Sequence, residues 1–121
     1  MKDNKLADMS FQFAKEIIEL VKDLKEQRET IISNQIGRSG TSIGANIYEA
    51  QYAQSTLDFI SKLEIALKES SETSFWLKLL FETGYIDEKR FLALDKKCTS
   101  IRVVLITSCK TAKNNLSQGN L

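Results

Sequence analysis

Not one of the 121 residues is proline. A proline inside a helix removes a backbone hydrogen bond and clashes with the preceding turn, so a chain without it is free to form long helices joined by short turns. Apolar spacing then says where they run. From Ser10 to about Gln27, residues Phe13, Ile17, Leu20 and Leu24 fall on one stripe, while Lys15, Glu16, Glu19, Lys22, Asp23 and Lys25 cover the other side. That is an amphipathic helix with one wet face, and Ser10 is its expected N-cap. Another segment opens at Ser55, with Asp58 three residues on as in a capping box. It keeps helical spacing through Leu57, Ile60, Leu63, Ala66, Leu67, Leu77, Leu80 and Phe81, and Gly84 supplies the stop. Asp87 caps a last segment traced by Phe91, Leu94, Cys98, Ile101, Leu105 and Ala112.

Between the first and third segments lies "NQIGRSGTSIGANIYEAQYAQ", residues 34–54, which holds three glycines and only two charges. No alternation persists there, so a strand fails. A phosphate loop fails too, because "GRSGTSIG" has neither the Walker nor the dinucleotide spacing and no strand precedes it. Helical spacing succeeds. Ile32, Ile36, Ile43, Ile47 and Ala50 share one side, and Ser33, Gly37, Gly40, Thr41 and Gly44 form an adjacent strip of small residues. Such a strip admits another backbone at close range. Three interior glycines cost about 0.8–1 kcal/mol each relative to alanine in an exposed helix, so packing must offset them. The expectation is one all-α domain over 1–121, with helices at about 10–27, 31–53, 56–83 and 88–115 and a frayed tail at 116–121.

The chemistry motifs argue against an enzyme. Histidine is absent, which removes the commonest general base and the Glu-x-x-His motif of di-iron bundles. Cys98 and Cys109 cannot build a zinc site by themselves. On one helix they lie about 16 Å apart, too far to bridge, and read as buried reduced thiols. Glu64, Glu69 and Glu72 read as solvated helix charges. No cofactor and no metal are expected. The N-terminus lacks the apolar run of a signal peptide, and no segment reaches the roughly 18 apolar residues of a membrane span, so a cytoplasmic location is expected.

Arg38 and Glu49 stand three turns apart on the weakly charged helix and cannot pair with each other, so each needs a partner on another helix or another chain. They serve either a structural ion pair or a subunit or ligand contact. Asn46 joins them as a polar residue that needs hydrogen-bond partners if buried. The net charge is +1, yet Lys96, Lys97, Arg102, Lys110 and Lys113 occupy a stretch, from Lys96 to the end of the sequence, with no acid. These five form either a solvated face or a stripe that contacts phosphates. Tyr48, Tyr52, Phe75 and Trp76 are core or interface aromatics, or else stacking platforms for bases.

The segments "RSGTSIGANIYEA", "DFISKLEIALKESSET" and "WLKLL" resemble the small bacterial four-helix-bundle proteins of the 23S ribosomal RNA intervening-sequence family, over about Ser10 to Asn115. The matching positions are Arg38, Ser39, Ser42, Asn46, Glu49 and Ala50, then Asp58, Phe59, Ala66, Glu69, Glu72 and Trp76. Ser71 departs from the family pattern, which often has arginine there. The resemblance implies an antiparallel up-down four-helix bundle assembling into a ring, a homopentamer. A related branch, the accessory proteins of diversity-generating retroelements, binds nucleic acid and is strongly basic, whereas this chain is nearly neutral. The combined expectation is a non-enzymatic scaffold that forms a homo-oligomer, with Gly37, Arg38, Gly40, Gly44, Asn46 and Glu49 as helix-packing or interface residues. Its further partner is RNA or another protein, met by the basic fourth helix; the alternative is a protein-only interaction module.

Overall fold

In the computed structural model, which describes residues 4–119, the chain forms four helices: α1 (Lys5–Glu26), α2 (Ile31–Ala50), α3 (Thr56–Glu82) and α4 (Glu88–Ser117). They pack as a four-helix bundle, with no strand among the described residues. The core gathers the expected stripes. Phe13, Ile17, Leu20 and Leu24 of α1 meet Ile36, Ile43 and Ile47 of α2, Leu63, Leu77 and Leu80 of α3, and Leu94, Ile101 and Leu105 of α4. At roughly 1.5–3 kcal/mol for each fully buried side chain, these contacts are the main stabilising contribution.

The ends of the helices differ from the expectation in three places. The N-cap of α1 is Asn4, whose Oδ1 accepts from the Ala7 N–H at 3.0 Å, so the helix starts five residues before Ser10. Ser10 is buried inside the helix and donates to the Ala7 carbonyl. Its small side chain leaves room for Gly44, where an added Cβ would stand 3.3 Å from the Ser10 carbonyl oxygen. Helix α2 stops at Ala50, because Gln51, Tyr52 and Ala53 bond back only three residues, to Tyr48, Glu49 and Ala50, and tighten the chain into a turn. Helix α4 continues through Ser117 rather than fraying from 116, and Gly119, at φ +74°, follows its end. Asn120 and Leu121, also part of the expected frayed tail, lie outside the described residues.

Helices α1 and α3 end alike. In each a residue takes the left-handed conformation, and the N–H that follows it reaches back five residues: Glu29 to Leu24 and Tyr85 to Leu80, both at 2.9 Å. Gly84 does this without strain at φ +84°, whereas Arg28 adopts φ +65° with a side chain. Immediately after Arg28, the carboxylate of Glu29 turns back to accept from three N–H groups of the first turn of α2: Ile31 at 3.1 Å, Ile32 at 3.0 Å and Ser33 at 2.7 Å. Thr30 sits at the N-cap position but makes no capping bond, so Glu29 satisfies these donors instead.

Candidate functional site

The strip of small residues on α2 lies against α1. A Cβ added at Gly37 would meet Val21 at 3.3 Å, one at Gly40 would meet Ile17 at 2.8 Å, and Gly44 backs onto Ser10. The opposite flank of α2 meets α3 through polar groups. The guanidinium of Arg38 donates to Glu69 at 3.1 Å and also to Glu72. Glu72 in turn accepts from the Trp76 indole N–H at 2.9 Å. Beneath this layer the buried hydroxyls of Ser39 and Thr73 bond at 2.9 Å. Farther along, Glu49 pairs with Lys62 of α3 at 3.0 Å, and Asn46 donates within α2 to the Ser42 carbonyl. Arg38 and Glu49 therefore each find a partner on α3, and Arg38, Glu69, Glu72 and Trp76 form one connected ladder.

That ladder has a pH dependence. The Trp76 indole first, and then the Arg38 guanidinium, hold Glu72 below the ordinary carboxylate range. The folded chain thus binds this proton less readily than the unfolded one. The interaction contributes in full above the unfolded value of about 4.3, and is lost as the pH falls through the lower folded value. Trp76 is the only tryptophan, so its fluorescence reports the site directly. We expect a Trp76 emission change on acidification below the ordinary carboxylate range, and Glu72→Gln to abolish it. Superimposable acid titrations of the two proteins would show that the ladder does not govern acid stability.

Helix α4 uses most of its bases internally. Lys97 pairs with Glu16 of α1 at 2.6 Å and Lys113 with Glu64 of α3 at 2.6 Å. Arg102 turns inward, donating to the Ser70 carbonyl at 3.1 Å and the Ser70 hydroxyl at 3.2 Å, beside Ser74 and the buried Cys98 thiol. Of the five, Lys96 and Lys110 have neither an ion pair nor a side-chain hydrogen bond among the described residues, while Arg102 is held by hydrogen bonds alone. The spacing of Ser70 and Thr73 carries the signal for this polar layer: with Ala66 and Leu77 they continue the interior stripe of α3, so hydroxyls at those positions demand internal partners. Both cysteines are free and buried, and burial raises both thiols above their ordinary value.

Among the described residues, two apolar grooves stand open. A groove of about 520 Å³ runs between α1 and α2, lined by Phe11, Ala14, Gly44, Ala45 and Tyr48 and flanked by Asp8 and Glu49. Phe11 is 67% exposed and Tyr48 63% exposed, and Tyr52 stacks at a tilt on Tyr48. The second groove, of about 590 Å³, lies between α1 and α4 beside Lys96. Phe75 is exposed as well, edge-on to Trp76. Among the described residues, no group of three or more His, Cys, Asp or Glu could hold a metal ion. No described helix is long and apolar enough to cross a membrane.

Comparison with known proteins agrees with the fold. A crystal structure of a protein of unknown function, from the S23 ribosomal protein family of Bacteroides thetaiotaomicron VPI-5482, is 50% identical with a TM-score of 0.85. The match covers 87% of this chain and 98% of that one. No curated protein matches. The family described as 23S rRNA-intervening sequence protein matches residues 2–107. With the match spanning nearly the whole bundle and the Arg38–Glu69–Glu72–Trp76 ladder inside it, the chain belongs to the 23S rRNA-intervening sequence protein family.

Proposed function

We propose that this protein is a non-enzymatic scaffold, an antiparallel up-down bundle that assembles with copies of itself into a ring of five in the cytoplasm. The observation that carries the reading is the open aromatic groove between α1 and α2. Exposed Phe11 and Tyr48 stand over Ala14, Gly44 and Ala45, small residues that let a second helix approach closely. Aromatic residues around a small-residue floor are the composition of a protein interface. The antiparallel arrangement is supported by the pairings Gly37–Val21 and Gly44–Ser10, then Glu49–Lys62 and Arg38–Glu72, then Glu64–Lys113 and Ser70–Arg102. A structural role is supported by the way Arg38, Glu69 and Glu72 engage one another rather than a shared cavity.

The test is solution mass. The wild-type chain is expected to run at five times its 13.7 kDa, and Phe11→Ser with Tyr48→Ser to run at the mass of a single chain with its helix content retained. A wild-type protein of single-chain mass would overturn the ring. A double variant that keeps the full assembly would overturn this groove as its interface.

A further inference from the structure

Helix α4 has a face that the bundle does not use. Leu92, Lys96, Thr99, Val103, Ile106 and Lys110 recur at steps of three and four, so they form one row on the helix, and all six are exposed. Val103 and Ile106 thus lie in water between two lysines that have no ion pair among the described residues, and Leu92 lies one turn beyond Lys96. Lys96 and Lys110 are about 21 Å apart along the axis. From Lys96 to Gly119 there is no acid to neutralise them locally. The row borders the groove between α1 and α4, with Met9 and Gln12 on one wall, Ala93 and Ser100 on the other, and Ile101 between them.

We propose that this row and its groove dock one amphipathic helix of a partner protein, apolar on the face it buries and acidic near both ends of the contact. Charge identifies the occupant. Two unpaired cations frame an aliphatic strip, and the complement is an aliphatic strip framed by carboxylates. The spacing sets the length, since about 21 Å is fourteen residues of helix. The small side chains of Ala93 and Ser100 let a second helix settle close. Nucleic acid fits less well. Lys97 and Lys113 are already paired, Arg102 faces the core, and the row offers no aromatic ring for a base to stack on. Two remaining cations would release few counterions.

The experiment uses the full chain and fluorescence anisotropy. The probes are a labelled eighteen-residue amphipathic peptide with leucines on one face and glutamates near both ends, the same peptide with lysines for those glutamates, and a structured ribosomal RNA fragment. The acidic peptide is expected to bind, to weaken at least tenfold with Val103→Ser plus Ile106→Ser, and to weaken similarly with Lys96→Glu plus Lys110→Glu. The lysine peptide should bind only the charge-reversed variant. Absence of acidic-peptide binding, affinity unmoved by either pair of substitutions, or RNA bound more tightly than peptide would each overturn the inference. The inference rests on the scaffold reading but is separable from it. Peptide binding by a protein of single-chain mass defeats the ring and leaves the docking face standing. A full-mass ring that ignores the peptide does the reverse.

Discussion

Gly40→Leu is expected to cost the bundle about 3 kcal/mol or more, toward the severe end for overpacking a filled core. An added Cβ alone would stand 2.8 Å from Ile17 Cγ1 and 2.9 Å from its Cγ2, closer than side chains approach one another. Ile17 is fully buried and β-branched, with essentially one rotamer available in a helix, so it cannot swing aside. Leaving glycine returns about 0.8–1 kcal/mol of helix propensity, too little to offset the clash. In a domain of this size the loss corresponds to a fall in melting temperature of roughly 10 °C. Unchanged melting temperature and unchanged oligomer mass would refute it. Two neighbours grade the argument. Gly37→Ala, 3.3 Å from the half-buried Val21 methyl, should stay within about 1 kcal/mol of wild type. Gly44→Ala meets the Ser10 carbonyl at the same distance, and because backbone yields less than a side chain it should fall between the other two.

Glu29→Ala should destabilise by about 2–3 kcal/mol, more than an ordinary lost cap, because one carboxylate serves three donors. Ile32 and Ser33 are buried, so water cannot take over all of these bonds. Glu29→Gln retains an acceptor and should lose less. Denaturant midpoints rank the three proteins, and amide exchange localises the effect. Protection at Ile31, Ile32 and Ser33 should fall before protection at the middle of α2. Equal exchange at those amides in wild type and Glu29→Ala would show that the cap is dispensable.

These two residues also show what a single sequence discloses. Gly40 was legible because the period of a helix puts it in line with Gly37 and Gly44, and small residues on one line have few explanations. The apolar stripes were legible for the same reason. Glu29 was not, since a glutamate before an apolar run looks like any solvated charge until the chain turns back at Arg28. Ser10 misled in the opposite sense: serine is a good cap, but it is also the residue that fits beneath a close helix, and only Gly44 decides between the two. Arg102 lay in a basic, acid-free stretch of the chain, and the sequence offered no view of Ser70 and Ser74 on the facing helix. Local pattern reveals a residue's face; its partner belongs to tertiary structure.

Each helix packs chiefly against its neighbour in sequence, and among the described residues the only joining of distant elements is the thin contact between α1 and α4. That arrangement has a kinetic consequence. Contacts between sequential helices close short loops, so the chain can add one helix at a time and fold within microseconds to milliseconds, as low-contact-order bundles do. Opening should reverse the order from the weakest end. With α3 as its principal support and, among the described residues, only Arg90–Asp23 and Lys97–Glu16 tying it by ion pairs to α1, α4 is expected to detach while α1, α2 and α3 keep their shared core. Amide exchange tests this: α4 is expected to behave as a sub-global unfolding unit, its amides exchanging at a lower free energy than those of α2 and α3, and equal protection across all four helices would refute it.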